Sequence, residues 1–142
     1  MRISDVLKGK PTEVVTLAPA ATVRDLITLL AERNIGAVLV CDEDAAVAGI
    51  VSERDVVRRL ADGGDISNTP IRELMTTQVQ TATPEDTVDD LMRIMTEHRI
   101  RHVPVVVDDE LLGIVSIGDV VKSRIGELEF ERDQLESYVH TR

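Results

Sequence analysis

The two halves of this 142-residue chain repeat each other, and this duplication limits the fold more than any other feature. Identical residues recur at an offset of 65 (79 − 14), and at 64 after one deletion. A chain of this length holds one ordinary core, or two half-size units that each need the other. We therefore expect one cooperative domain built from two repeats. Identical pairs include Val14/Val79, Thr16/Thr81, Pro19/Pro84, Thr22/Thr87, Val23/Val88, Asp25/Asp90, Leu26/Leu91, Ile35/Ile100 and Val38/Val103.

Each repeat carries the same order of signals: strand, helix, strand, strand, helix. The apolar stretches at 14–17 and 79–82 end at a proline and predict the first strands. Apolar residues at i, i+3, i+4 and i+7 then predict a helix in each repeat, with Thr22 and Thr87 as N-caps. The later strands enclose acidic turns, and short helical lead-ins precede each repeat. These turns lie at 42–44 and 108–110, and the lead-ins at 3–7 and 71–75.

This pattern predicts a mixed α/β (α+β) fold in which two pseudo-twofold-related repeats pack sheet to sheet. A polar, breaker-rich stretch at 62–70 forms the linker. The predicted division is a first repeat at 1–66, a second at 67–126 and a C-terminal helical extension at 127–142.

Composition excludes several classes of function. Lys+Arg number 16 and Asp+Glu 26, so the formal net charge is −10, which disfavours binding to phosphate backbones. Phe130 and Tyr138 are the only aromatic residues, which leaves no platform for stacked bases. No apolar run has the length of a signal peptide or membrane span, so we expect a cytoplasmic protein without nucleic-acid or membrane partners. The single Cys41 is expected to be a small buried residue.

A Ser-x-x-Asp motif recurs where the last strand of each repeat gives way to a helix. Ser52 and Asp55 form the first copy, and Ser116 and Asp119 the second. One interpretation is a capping box, although Glu or Gln is the usual partner and Asp is one methylene shorter. The other is a ribose site, because the two oxygens of a rigidly held carboxylate match a cis-diol.

The motifs around these positions resemble those of CBS domains. The pattern is Ile-Arg-His-Val-Pro-Val-Val at 100–106, then a strand ending in Gly-Ile-Val-Ser, then two residues and an Asp opening a helix. Two copies resemble a CBS pair, or Bateman module, over about residues 1 to 125, and the chain is similar to small stand-alone bacterial members. The resemblance implies a regulatory module, commonly dimeric, that binds AMP, ATP or NAD in the cleft between repeats. The regulated target would be a separate protein acting in trans.

The resemblance also implies a set of ligand-binding residues, which differ between the repeats. Arg54 and Arg101 are the candidate phosphate contacts, and Arg58 and Arg59 are interpreted as a solvated helix face. Pro104 would mark the backbone that reads adenine, but the first repeat has Leu39 there. We therefore predict two unequal sites, with the tighter one in the second repeat. The full candidate set is Thr16, Ser52, Arg54, Asp55, Thr81, Ile100, Arg101, His102, Val103, Pro104, Ser116 and Asp119.

Two other functions compete with nucleotide sensing. An enzyme is not supported, because the sequence lacks a Walker loop, a Gly-x-Ser-x-Gly elbow and a Cys/His pair. His98 and His102 have zinc spacing, but a helix-to-strand turn between them should separate the rings, so no metal site is expected. The remaining alternative is a ligand-free dimeric scaffold, which would not need the Ser-x-x-Asp pair in both copies.

The C-terminal stretch predicts a homodimer. From Asp119 onward the helical pattern continues with apolar residues and no breaker after Gly126, farther than one repeat requires. A helix that carries apolar residues beyond the domain it closes usually covers a partner.

Overall fold

The computed structural model describes residues 1–10, 14–43 and 47–140, so Asp44 of the first acidic turn and the last two residues of the extension lie outside the described residues. Its elements confirm the mixed α/β class and the long C-terminal helix. The helices are α1 (Ile3–Lys8), α2 (Val23–Arg33), α3 (Glu53–Ala61), α4 (Val88–His98) and α5 (Ile117–His140), with a 3-10 turn at Ile71–Glu73. The strands are β1 (Thr16–Leu17), β2 (Ala37–Cys41), β3 (Val47–Ser52), β4 (His102–Val107) and β5 (Glu110–Ser116).

The N-caps of the first helix in each repeat are as predicted. Asp25 N donates to Thr22 Oγ1 (3.2 Å), and Thr22 N donates back to Asp25 Oδ2 (3.0 Å). Thr87 and Asp90 form the same reciprocal pair at 3.1 Å in both directions. These boxes satisfy amides that the first helical turn leaves without partners, so the short local motif is enough to start each helix.

The two repeats differ in their sheets. In the first, β1 pairs parallel to β2 and β2 pairs antiparallel to β3. In the second, β4 and β5 form a two-stranded sheet, and the predicted strand at 79–82 is reduced to a bridge between Ala82 and Val105. That strand prediction was wrong in extent. The physical reason is Pro104, which has no N–H to donate to a longer parallel ladder, whereas Leu39 at the matching position pairs with Thr16.

The chain divides into two compact units that do not follow the sequence repeats. The first-repeat unit contains residues 14–79 and 108–111, and the second-repeat unit contains 1–10, 80–107 and 112–140. Each lead-in thus lies in the compact unit of the other repeat. The predicted repeat boundaries, which were placed on the sequence, are kept as a proposal.

Backbone hydrogen bonds attach each lead-in to its unit. In the second-repeat unit, Ile3 N donates to Asp86 O (2.9 Å) and Val88 N to Met1 O (3.0 Å). In the first-repeat unit, Ile71 N donates to Ala21 O (2.8 Å). Ile3 and Ile71 are both fully buried in the cores that they join. Both lead-ins are helical as predicted, the second as a single 3-10 turn.

Two glycines permit the lead-ins to lie close to the last strands. A Cβ on Gly49 would stand 2.7 Å from Thr76 O and 2.8 Å from Met75 Sδ, and a Cβ on Gly113 would stand 2.9 Å from Leu7 Cδ2. The glycine of each Gly-Ile-Val-Ser block is thus explained by packing. Leu7 and Met75 occupy equivalent places in the two lead-ins.

The last helix, α5, is continuous for 24 residues and passes through Gly126 without a break. Its first part packs through Val120, which is 1% exposed, and from Leu128 onward every described residue is exposed. Among the described residues, no helix is both long and apolar enough to cross a membrane.

Candidate functional site

The first Ser-x-x-Asp motif lies at the junction of β3 and α3. Ser52 N and Ser52 Oγ both donate to Asp55 Oδ2, at 2.8 and 3.1 Å, and Asp55 N donates to Ser52 Oγ at 3.4 Å. Both side chains are half-buried. The motif therefore closes as a reciprocal capping box.

The second motif repeats this geometry at the junction of β5 and α5. Ser116 N and Oγ donate to Asp119 Oδ2 at 2.9 and 3.0 Å, and Asp119 N donates to Ser116 Oγ at 3.2 Å. The capping-box interpretation therefore holds in both copies, with Asp in the place of the more usual Glu or Gln. The capping bonds use only one of the two oxygens of each carboxylate. Within the described residues, every hydrogen bond to Asp55 or Asp119 uses Oδ2, and none uses Oδ1.

A lysine that the sequence analysis missed binds the second carboxylate. Lys10 Nζ lies 2.6 Å from Asp119 Oδ2 and 2.6 Å from Ile114 O, and the two side chains are 26% and 24% exposed. Lys10 falls in a longer lead-in: six residues separate Leu7 from Val14, but three separate Met75 from Val79. That length difference was the available signal. In the first-repeat unit the matching carbonyl, Ile50 O, accepts instead from Thr76 N (2.9 Å).

The contacts of Asp119 favour its ionised form. Burial raises the pKa of Asp119, but hydrogen bonds from Lys10 and Ser116, and the Lys10 charge, outweigh burial and hold the pKa below its ordinary value. The result is a fixed anion beside a fixed cation. A phosphate near this carboxylate is repelled less than it would be near an unpaired Asp.

Asp55 has different neighbours. It lines an open groove of about 230 Å³ with Arg58, Arg59, Asp62 and Glu73, and with Leu74 at its wall. Within the described residues, no ion pair joins Asp55 to a cation. Arg58 and Arg59 are exposed, as a solvated face predicts, yet they share the groove with Asp55. Arg54, the predicted phosphate contact, is exposed and is not among the lining residues.

The predicted adenine-reading segment joins β4 to the second box. Ile117 N, at the start of α5, donates to Arg101 O at 2.8 Å, so the backbone of Arg101 lies next to Ser116. Arg101 is exposed and His102 is half-buried. Val103 is 0% exposed and packs in the hydrophobic core, and Pro104 is buried in β4. Ile100 is half-buried against the same core.

The remaining sequence candidates lie at less informative places. Thr16 in β1 and Thr81 before the Ala82 bridge are both exposed.

Within the described residues, no group of His, Cys, Asp and Glu has the arrangement of a metal site. Cys41, expected to be buried, is half-buried, and burial together with the Asp42 charge raises the pKa of its thiol. Arg99 caps the end of α4 with a left-handed backbone (φ 54°), the same role as Asn34 after α2.

Comparison with known proteins identifies close similarities over nearly the whole chain. The family model described as "CBS domain" matches residues 3–62 and 71–126. The mitochondrial CBS domain-containing protein CBSX3 of Arabidopsis thaliana is 36% identical over 146 residues, covering 96% of this chain and 71% of its own. A crystal structure of a CBS-domain containing protein from Agrobacterium tumefaciens is 41% identical with a TM-score of 0.84, covering 87% of this chain and 92% of its own.

Two further solved structures contain adenosine compounds. A CBS domain protein from Pyrobaculum aerophilum complexed with AMP is 31% identical, with a TM-score of 0.75 over 84% of this chain and 89% of its own. The CBS domain pair of protein MJ0100, in complex with 5′-methylthioadenosine and S-adenosyl-L-methionine, is 26% identical, with a TM-score of 0.80 over 89% of this chain and 98% of its own.

Proposed function

This chain belongs to the CBS domain family and carries two copies of the domain, and from this premise we propose that it is a regulatory module that binds an adenosine nucleotide. The proposed ligands are AMP, ATP or NAD. The single observation that carries the proposal is the pair of Ser–Asp boxes, each of which holds a half-buried carboxylate with Oδ1 uncommitted within the described residues. The AMP complex of a similar protein and the adenosine compounds of MJ0100 support the ligand class.

The proposed contacts follow from the chemistry of the two boxes. Asp55 and Asp119 accept hydrogen bonds from ribose hydroxyls through Oδ1, and Ser52 and Ser116 hold these carboxylates in place. Lys10, which is bonded to Asp119, and Arg101, whose backbone carbonyl is bonded at the start of α5, are the proposed cations of the second box, and Arg58 and Arg59 are those of the first. We propose as secondary contacts Arg54 and His102, the backbone around Ile100, Val103 and Pro104, and Thr16 and Thr81.

The proposal includes no catalytic step. The module is proposed to change a separate target protein in trans, in the cytoplasm, when its nucleotide is bound. Nucleic acid is not a proposed partner, because a net charge of −10 opposes phosphate backbones.

A homodimer is part of the proposal. Its support is the set of apolar side chains that α5 exposes, among them Ile125 at 50% and Leu135 at 66%. The alternative of a ligand-free dimeric scaffold uses the same surface and differs only in lacking nucleotide affinity.

Calorimetric titration of the ligand-free protein with AMP, ADP, ATP and NAD tests the proposal. Ligand at 100 times its dissociation constant should raise the free energy of unfolding by about 2.7 kcal/mol, which a thermal melt detects. The control is the double variant Asp55→Ala/Asp119→Ala, which should lose the heat and the shift. No heat and no thermal shift with any of the four nucleotides would leave the scaffold as the function.

A further inference from the structure

The long helix α5 carries a regular apolar stripe on its exposed side. We define the α5 stripe as Val121, Ile125, Leu128, Arg132, Leu135 and Val139. Its members are spaced alternately four and three residues apart, which is the heptad spacing of coiled coils. At 100° per residue they fall within an arc of about 80°. The five apolar members are 48%, 50%, 49%, 66% and 65% exposed.

The α5 stripe is separate from the face by which α5 packs on its own unit. That inner face holds Val120, which is 1% exposed, and Glu127, whose carboxylate bonds Arg124 (2.8 Å) and the N-terminal amine (3.2 Å). No residue belongs to both faces. The inner contacts fix the first part of α5, so a partner would meet a helix that is already formed and would not bear the cost of nucleating one.

We propose that the α5 stripe is covered by α5 of a second copy of this chain, running antiparallel. The register that overlaps the whole stripe places Val121 opposite Val139 of the other copy. Ile125 then lies opposite Leu135, and Leu128 opposite Arg132. This inference rests on the homodimer proposed above and adds the helix, its direction and its register.

Arg132 decides the direction. In a parallel pair each stripe residue meets its own copy, which would stack two Arg132 guanidinium groups in the centre of the interface. In the antiparallel register each Arg132 lies across from Leu128, and its guanidinium, which gives up an exposed contact with the neighbouring Asp133 (3.3 Å), extends toward Glu129 and Glu131 of the other copy. The aliphatic part of the arginine covers the leucine while its charge reaches the acidic flank.

The flanking charges form different pairs in the two directions, and the charge of Arg132 breaks the balance between them. The antiparallel register places Lys122 beside Glu136 of the other copy, twice per dimer by symmetry. It also places Glu129 and Glu131 beside their own copies, where the two arginines offset the repulsion. A parallel pair would set Glu131 beside Glu136 twice and gain Arg124 beside Glu129, but Arg124 is already bonded to Glu127. Opposite charges at such flanking positions set orientation in coiled coils.

A charge swap tests this register on the full-length protein. Lys122→Glu and Glu136→Lys should each weaken self-association roughly tenfold, because two attractive pairs become repulsive, and the double variant should restore it. Analytical ultracentrifugation gives the dissociation constants. The control is Glu85→Lys, an exposed residue outside α5 with the same charge change, which should leave self-association unchanged. Strengthened association in Glu136→Lys would indicate a parallel pair and overturn the proposal.

Cross-linking gives a second measurement that does not depend on charge. In a Cys41→Ser background, Glu131→Cys should form a disulfide-linked dimer and Leu128→Cys should not, since in the antiparallel register position 131 faces its own copy whereas position 128 faces Arg132. The reverse result overturns the register. Leu128→Asp with Leu135→Asp should give monomers of unchanged circular dichroism. If these monomers still bind AMP, nucleotide binding does not depend on the dimer. If the protein with both changes is still a dimer, the α5 interface is wrong, although the protein is a homodimer.

Discussion

The segment from Gly49 to Asp55 and the segment from Gly113 to Asp119 share one sequence pattern and one set of local hydrogen bonds, yet their surroundings differ. Asp119 is bonded to Lys10 at 2.6 Å, whereas Asp55 lies in an open groove with arginines and two further carboxylates. Each segment packs against the lead-in that precedes the other repeat in sequence. The longer lead-in delivers a lysine side chain to Ile114 O, and the shorter one delivers the backbone amide of Thr76 to Ile50 O.

This difference shows that two copies of the same motif can have different charged neighbours. The capping box is determined within four residues and is the same in both copies. The charge beside it differs between the copies: Asp119 is paired with Lys10, 109 residues away along the chain, whereas Arg58 and Arg59, which share the groove with Asp55, lie in the same helix α3. A site prediction transferred from one copy to the other is therefore sound for the carboxylate and unsound for its counter-ion.

The largest expected effect is the loss of nucleotide affinity on Asp119→Ala. A hydrogen bond to a charged group contributes about 1.5 to 3 kcal/mol, so binding of AMP should weaken roughly tenfold to a hundredfold. Asp55→Ala should cost less at the tighter site. Asp90→Ala is the matched control, because it removes an equivalent capping box at which no ligand is proposed. If Asp55→Ala abolishes the tighter affinity while Asp119→Ala leaves it intact, the dominant site belongs to the first repeat.

The two glycines that pack against the lead-ins should differ in how well they tolerate an added methyl group. Gly49→Ala should destabilise the protein by about 1 to 3 kcal/mol, since its Cβ would meet the backbone oxygen of Thr76 at 2.7 Å. Gly113→Ala should cost less, because its Cβ meets only the end of the flexible Leu7 side chain. Urea unfolding of both variants measures the difference. Equal destabilisation would mean that the two lead-ins close with equal rigidity.

Replacing Lys10 should make the two boxes more alike. Lys10→Met should lower stability by about 1 kcal/mol, because the ion pair with Asp119 is only partly buried. It should also weaken AMP binding more than adenosine binding, since only AMP carries the phosphate that the lysine charge favours. Lys8→Met, at the exposed end of α1, is the matched control. An unchanged ratio of AMP to adenosine affinity would show that Lys10 has no part in selecting the phosphate.

The smallest effect is in the acid limb of the stability curve. The pKa of Asp119 is lowered in the folded state despite the raising effect of burial, because Lys10 and Ser116 bond the carboxylate. Its stabilisation is therefore complete above the unfolded pKa of about 3.9 and is lost as the pH falls through the lower folded value. The stability difference between wild type and Asp119→Asn should accordingly be constant near neutrality and shrink below about pH 4. A difference independent of pH down to 2 would exclude an ionised Asp119 as its source.

The sequence alone determined the repeat, the order of elements, the four Ser/Thr–Asp positions and the continuous last helix. These features depend on residues within about one helical turn of each other, so periodicity and capping chemistry specify them locally. Pro104 also signalled an edge, although not that the strand at 79–82 would shrink to one bridge. For the Ser-x-x-Asp motif the same local rules left a capping box and a ribose site as alternatives, and Asp closes a box at Ser52 as it does at Thr22.

The tertiary structure alone decided which lead-in closes which repeat and which cation meets which carboxylate. Lys10 and Asp119 are 109 residues apart, and no local pattern relates them. Ile3 joins the core that contains Leu91 rather than the core that follows it in sequence. Such contacts depend on the path of the whole chain, because any apolar lead-in residue gains the same burial energy in either core. Only the fold selects between them.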